Sequence, residues 1–255
     1  MQYLTLAAFG IIILACFISL LNFRFLFYPL LPSLNPLSGK RQLTLTGNVL
    51  FISDLHLKAG RPFEFARDLR SFVDARHASN LVVVGDLFNS PADGEEILSN
   101  SSTATISKIL GLDNFVKVFW VAGSSDRDPV QKETIDRYGG SLNWLGRCAL
   151  IRLGDSKILA YHGDDLSSMG AIGHAWDRFI SKLSLERLWK QFANVPETDW
   201  VIFGHTHIGA LDVKNRVANC GGWVTVPYLV RPNGTGVFFS QENSLPELAQ
   251  ISSES

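Results

Sequence analysis

Thiols are scarce in this chain of 255 residues. Cys16, Cys148 and Cys220 are its only cysteines; they make no disulfide framework and suit a reducing compartment. A charge imbalance is also missing. Lys and Arg number 23 against 24 Asp and Glu, for a formal net charge of -1, so no global basic field draws the chain to nucleic acid. Cationic side chains cluster only along one helical segment, which argues against a nuclease groove. Neither an internal repeat nor a protein-docking insert is visible. What remains is enough chain for one substantial core.

Apolar residues are plentiful, at 46%, and the excess lies at the N-terminus. From Tyr3 to Tyr28 the chain is almost unbroken apolar sequence with Arg24 as its only charge, long enough to cross a hydrocarbon core as a helix. A cleaved signal peptide would want a basic start, a shorter apolar centre and a small-residue cleavage site, none of which is evident. Arg24 lies near the end of the segment and Lys40 and Arg41 follow it, while Met1 to Gly10 carries no charged side chain. The expectation is a single-pass membrane anchor over 1–28, with the remaining chain on the cytoplasmic side.

Pro29, Pro32, Pro36 and Gly39 mark a linker, expected over 29–46. A domain is expected over 47–240, and a frayed polar tail over 241–255. Within the domain the short apolar runs "NVLFIS", "LVVVG", "VKVFWVAG", "KILAYHG", "WVIFG" and "GTGVFFS" alternate with amphipathic segments, the pattern of an α/β fold. "PFEFARDLRSFVDARHA" predicts a helix with Pro62 at its first position. "CALIRLGDSKILAYHG" predicts a hairpin turning at Gly154 and Asp155. Residues 171–192 predict one long amphipathic helix with Arg178, Lys182, Arg187 and Lys190 on its outer face. Such a helix is either packed on the core or faces lipid beside the anchor.

Several of these runs end in residues that could bind metal. Asp54 and His56 follow "LFIS"; Asp86 follows "LVVVG"; His162 follows "ILAY"; His205 and His207 follow "VIFG". Near-continuous apolar strands are buried on both faces, so their ends should meet on one rim of a sheet. Carboxylate and imidazole without thiolate suit manganese, iron or zinc rather than calcium. Six ligands exceed one tetrahedral ion with an open position and suffice for two divalent ions sharing a carboxylate. His77 and His174 fall in helical patterns and read as packing or surface residues.

In this order, Asp-x-His, Gly-Asp, a strand-end loop, His and Gly-His-x-His resemble the calcineurin-like metallophosphoesterases over roughly Val49 to Phe239. The resemblance implies two packed mixed β-sheets flanked by helices, preceded here by the one N-terminal transmembrane helix. It also implies Asp54, His56 and His207 on one metal, His162 and His205 on the other, and Asp86 bridging. The third motif of that family reads Gly-Asn-His-Asp or Gly-Asn-His-Glu, whereas this chain has Gly123, Ser124, Ser125 and Asp126. A register shifted by two sets Asp126, Arg127 and Asp128 against the Asn-Arg-Asp variant of UDP-2,3-diacylglucosamine pyrophosphatases. Ser124 or Asp126 is expected to complete the second metal site, with Asp86, Asp126 and Arg127 in the catalytic set. The missing imidazole disfavours alkyl phosphomonoesters, whose leaving alkoxide needs a proton, and favours a phosphoanhydride. A phosphorylated small molecule or a lipid-linked nucleotide diphosphate is the expected substrate. The contrasting expectation is a scaffold of this fold that has lost turnover and binds a protein partner.

Overall fold

The computed structural model describes residues 27–31, 35–99, 104–112, 116–124, 128, 143–166, 170–224, 234–243 and 245–251. Strands β1 (Arg41–Leu45) and β2 (Asn48–Ile52) precede helix α1 (Ala66–Ala75), and β3 (Ala78–Val84) leads to α2 (Pro91–Ser99) and α3 (Ala104–Ile109). Strand β4 (Lys117–Val121), the hairpin β5 (Cys148–Leu153) and β6 (Ser156–Tyr161), and helices α4 (Gly170–Phe179) and α5 (Ser184–Phe192) follow. The chain closes with β7 (Trp200–Phe203), β8 (Ala210–Asp212), β9 (Val217–Asn219), β10 (Thr235–Phe239) and β11 (Glu247–Gln250).

These strands make two mixed sheets, one ordered β1-β5-β6-β7-β9-β8 and the other β11-β10-β2-β3-β4. Period-two alternation explains how they stack. Val49, Phe51, Val82, Val84, Phe119 and Val121 face Ile158, Ala160, Trp200 and Ile202 in a core between the sheets. The intervening Leu50, Ile52, Leu81, Val83, Val118 and Trp120 face outward onto Leu69 and Val73 of α1. On the other flank Leu159, Tyr161, Val201 and Phe203 pack under Leu185 and Trp189 of α5. Each central strand is therefore buried on both faces, which is why its sequence reads as an uninterrupted apolar run.

Several expectations need revision. The segment read as linker contains β1, which pairs in parallel with β5. The segment read as a frayed tail contains β11, paired antiparallel with β10. Helix α1 starts at Ala66, so Pro62 lies outside it. The hairpin turns at Gly154 and Asp155 as expected. The long helix is broken in two: Leu183 sits at φ 58 between α4 and α5. Serine hydroxyls compete with the helical ladder there. Ser184 Oγ donates to Ser181 O at 2.9 Å and accepts from Trp176 Nε1 at 2.8 Å. Lys190 is not on an outer face either; it is buried and donates from Nζ to Asp199 O at 2.7 Å and Asn215 O at 2.8 Å. The anchor expected over 1–28 lies outside the described residues apart from Phe27 and Tyr28. Among the described residues no helix is long and apolar enough to cross a membrane.

Candidate active site

The sheets' hydrogen-bond ladders run past the strand ends and hold the functional loops side by side. Asp54 N–H donates to Gly85 O at 3.2 Å, His56 N–H to Asp86 O at 3.0 Å and Leu57 N–H to Leu87 O at 2.9 Å. Gly85 N–H in turn donates to Val121 O at 2.8 Å, so the loops after β2, β3 and β4 form one continuous edge. From the second sheet, Gly204 N–H donates to His162 O at 3.1 Å, and Trp223 N–H crosses to Asp54 O at 3.2 Å. The rim therefore belongs to two sheets rather than one, a difference from the sequence expectation. Strand ends from both cores meet over the seam between them.

Five of the expected ligands have left-handed backbone: Asp54 at φ 56, His56 at 47, Asp86 at 45, His205 at 71 and His207 at 58. Such conformations cost on the order of 1–3 kcal/mol each for non-glycine residues. They persist because the paired loops over-determine them, and they turn successive polar side chains into one cavity. Two glycines are needed for this closeness. A Cβ at Gly85 would stand on the His162 ring, and one at Gly123 would meet the Asp86 N–H and Oδ1.

His207 Nε2 lies 3.2 Å from Asp54 Oδ1, and His56 Nε2 lies 4.0 Å from the same oxygen. Asp86 stands between two imidazoles, with Oδ2 at 3.9 Å from His56 Nε2 and Oδ1 at 3.3 Å from His162 Nε2. Two overlapping donor sets result, Asp54–His56–His207 and Asp54–Asp86–His162, each with its atoms within 4.8 Å of one another. The His205 ring stands edge-on to His162 with centroids 5.2 Å apart, and the His205 backbone N–H donates to Asp54 Oδ2 at 3.0 Å.

The electrostatics suit a cation. Although burial opposes it, Asp86 pushes His162 up to about 10, with Asp54 contributing. The same ion pair holds Asp86 well below the usual carboxylate range against its own desolvation. Burial pushes Asp54 up, and Asp54 Oδ1 is buried without accepting a hydrogen bond. Burial, then His162, lowers His205. Buried carboxylate oxygens and imidazole nitrogens aimed at shared space are the donor set a divalent ion needs, and the proton that balances their charge on His162 in the metal-free protein would leave when an ion binds.

The strand-end loop partly answers the question its sequence raised. Ser124 lies at the site, where its hydroxyl and N–H both reach Asp86 Oδ1, at 2.8 and 3.0 Å. Asp126 and Arg127 lie outside the described residues. Asp128 turns back beneath the loop and accepts from Gly123 N–H at 2.6 Å, Phe88 N–H at 3.1 Å and Trp120 Nε1 at 3.3 Å. Burial and the Asp86 carboxylate push Asp128 up to about 7.

Residues 47–209 match the calcineurin-like phosphoesterase family. The chain belongs to that family. Membership implies divalent metal ions, and the two Asp/His groups at the rim are candidates to hold them. The chain is 32% identical over 123 residues to UDP-2,3-diacylglucosamine hydrolase of Pseudomonas paraeruginosa, covering 47% of this chain and 49% of that protein. A protein of the same description from Chromohalobacter salexigens is 32% identical over 120 residues, covering 46% and 47%. The chain thus spans about half the length of the curated relatives it matches. Among solved structures, an archaeal phosphodiesterase aligns with a TM-score of 0.45 at 14% identity, over 79% of this chain and 98% of that one. The phosphoesterase Yfce from E. coli aligns with a TM-score of 0.41 at 13% identity, over 80% and 100%.

Sequence reasoning missed part of the site. His174, read as a packing or surface residue, donates from Nδ1 to Thr206 O at 2.9 Å. Asp177, Glu186 and Asn219 gather beneath the same loop. Asp164 follows His162 by two residues and pairs with Arg147; that cation holds its carboxyl low despite burial. Only Asp164 carried a signal, in the "HGDD" run. The others come from segments that read as ordinary helix or strand.

Proposed function

We propose that this chain is a membrane-anchored phosphohydrolase that uses two divalent ions, manganese first among them, to cleave a pyrophosphate bond in a lipid-linked nucleotide diphosphate. One observation carries the two-ion reading: Asp86 stands between His56 and His162 with one carboxylate oxygen toward each. Asp54, His56 and His207 would hold one ion, His162 and His205 the other, and Asp86 both. When bound, such ions supply a nucleophilic hydroxide at neutral pH and neutralise charge on the phosphoryl oxygens. Within the chain, Ser124 fixes the Asp86 oxygen, while the Asp54 carboxylate is held by the His205 N–H.

The leaving group follows from what stands after Ser124. A positioned general acid contributes about 10²–10⁴-fold where the departing oxygen needs a proton. Ser125 cannot act as that acid, but a departing phosphate can leave without one. The curated relatives named for UDP-2,3-diacylglucosamine support the same substrate class. Support for the membrane comes from the apolar run 3–28. Its end, Tyr28, is buried edge-on against Trp189, with centroids 6.3 Å apart. Phe27, Leu30 and Leu31 beside it are exposed. With Arg24 near the end of the run and Lys40 and Arg41 after it, the domain would lie on the cytoplasmic face.

The full chain, loaded with Mn²⁺ in detergent, should release two phosphate-bearing products from UDP-2,3-diacylglucosamine and work slowly on an alkyl phosphomonoester. Faster turnover of the alkyl ester would remove the pyrophosphate reading. Absence of any turnover from a protein carrying two ions would favour the scaffold alternative instead.

A further inference from the structure

Four buried polar side chains surround Thr206, the residue between His205 and His207, and none belongs to the metal-facing set. Thr206 Oγ1 donates to Asp177 Oδ2 at 3.1 Å and accepts from Asn219 Nδ2 at 3.1 Å. Asn219 Nδ2 also reaches Gly204 O at 2.7 Å and Glu186 Oε1 at 3.1 Å. His174 holds the Thr206 carbonyl. Asp177 from α4 and Glu186 from α5 interact, each with one buried oxygen, Oδ1 and Oε2, that accepts no hydrogen bond, and Glu186 has no solvent exposure at all.

We propose that Asp177 and Glu186 are positioning residues for the metal site, a buried carboxyl pair that fixes the His205–His207 loop through Thr206 and Asn219. The inference rests on the two-ion reading above. Burying two carboxyl groups side by side is costly unless they are paired and hydrogen-bonded, and an apolar pair would fill the space between α4 and α5 without that penalty. What the carboxyls add is direction. They anchor the Thr206 hydroxyl and, through Asn219, the Gly204 carbonyl, while His205 and His207 sit at φ 71 and 58. Left-handed residues relax unless surrounding bonds over-determine them, and a relaxed loop would swing both imidazoles off their ions. The joint between two carboxyls needs one proton, and burial pushes both groups above the usual carboxylate range, Asp177 adding to the effect on Glu186. The break between α4 and α5 at Leu183 thus has a consequence: it lets each short helix aim one carboxyl at the other.

The test is Mn²⁺ binding to the full chain in detergent, read by the spin-resonance signal of free Mn²⁺ and accompanied by a thermal melt. Glu186→Leu and Thr206→Val should each weaken Mn²⁺ binding about 10–100-fold, the usual cost of losing an outer partner of a metal ligand. Glu186→Gln keeps a donor toward Asp177 and an acceptor for Asn219, and should bind Mn²⁺ close to wild type. A purely structural pair would lower the melting temperature in the Leu variant and leave the ion's affinity alone. Wild-type affinity in folded Glu186→Leu and Thr206→Val, or equal weakening in the Gln and Leu variants, overturns the proposal. If Glu186→Leu does not fold, the nearly isosteric Thr206→Val decides it. Wild-type protein that binds no Mn²⁺ would instead remove the two-ion reading itself, and this inference with it.

Discussion

Ser124 donates twice to a single oxygen of Asp86, from its hydroxyl at 2.8 Å and from its N–H at 3.0 Å. The position where the family's motif carries an amide ligand is thus held by a short side chain that steadies the central carboxylate. Ser124→Ala keeps the backbone donor and loses the hydroxyl. It should weaken the second Mn²⁺ by roughly tenfold and leave the first unchanged. Ser124→Asn should tighten the second ion. A titration that resolves two binding steps checks both, and identical second steps in all three proteins would show that Ser124 does not bear on metal binding.

Asp86→Ala removes the group between His56 and His162. Both ions should then bind poorly and turnover should vanish, while the melt stays cooperative because Asp86 lies at the rim rather than in a core cluster. Metal content by elemental analysis together with circular dichroism tests this. Two tightly held ions in the variant would end the bridging assignment.

His162 carries a proton up to about pH 10 in the metal-free protein, so an ion must displace it. Mn²⁺ affinity should therefore rise about tenfold per pH unit between pH 7 and 9. Calorimetry in two buffers of different ionisation enthalpy should report about one proton released. The effect on stability has the opposite sign. Because the folded value lies above the unfolded one, the His162 contribution to metal-free stability is complete below about pH 6.5 and is lost as pH rises through about 10. A buffer-independent binding enthalpy would contradict the proton's presence.

Asp128 accepts three N–H donors under the strand-end loop. Asp128→Asn must point its amide at one or two of those donors, costing roughly 1–3 kcal/mol for the groups left unmatched. Thermal and urea melts, with the fluorescence of buried Trp120 as the local report, measure that loss. An unchanged midpoint would mean the loop is held by something other than Asp128.

Much of this site was legible in order along the chain. Asp54 with His56, and His205 with His207, are two residues apart after runs of apolar sequence, and a strand that ends there can hardly bury them. The runs themselves announced strands covered on both faces. Helix 171–192 was misread because its apolar periodicity survives the break at Leu183; the serines that cause the break act through their own hydroxyls, which periodicity does not register. Strands β1 and β11 were misread because edge strands are short and partly exposed, so their composition resembles linker and tail.

By itself the sequence determined which residues could bind metal and that each stands at the end of a strand, because strand burial and side-chain chemistry are properties of local sequence. Tertiary structure alone decided that two sheets share the rim, that Ser124 reaches Asp86 across 38 positions, and that Glu186 and Asn219 meet beneath the histidine loop across 33. Those meetings depend on how two packed sheets and a broken helix are stacked in space. No pattern along a single segment encodes the distance between segments.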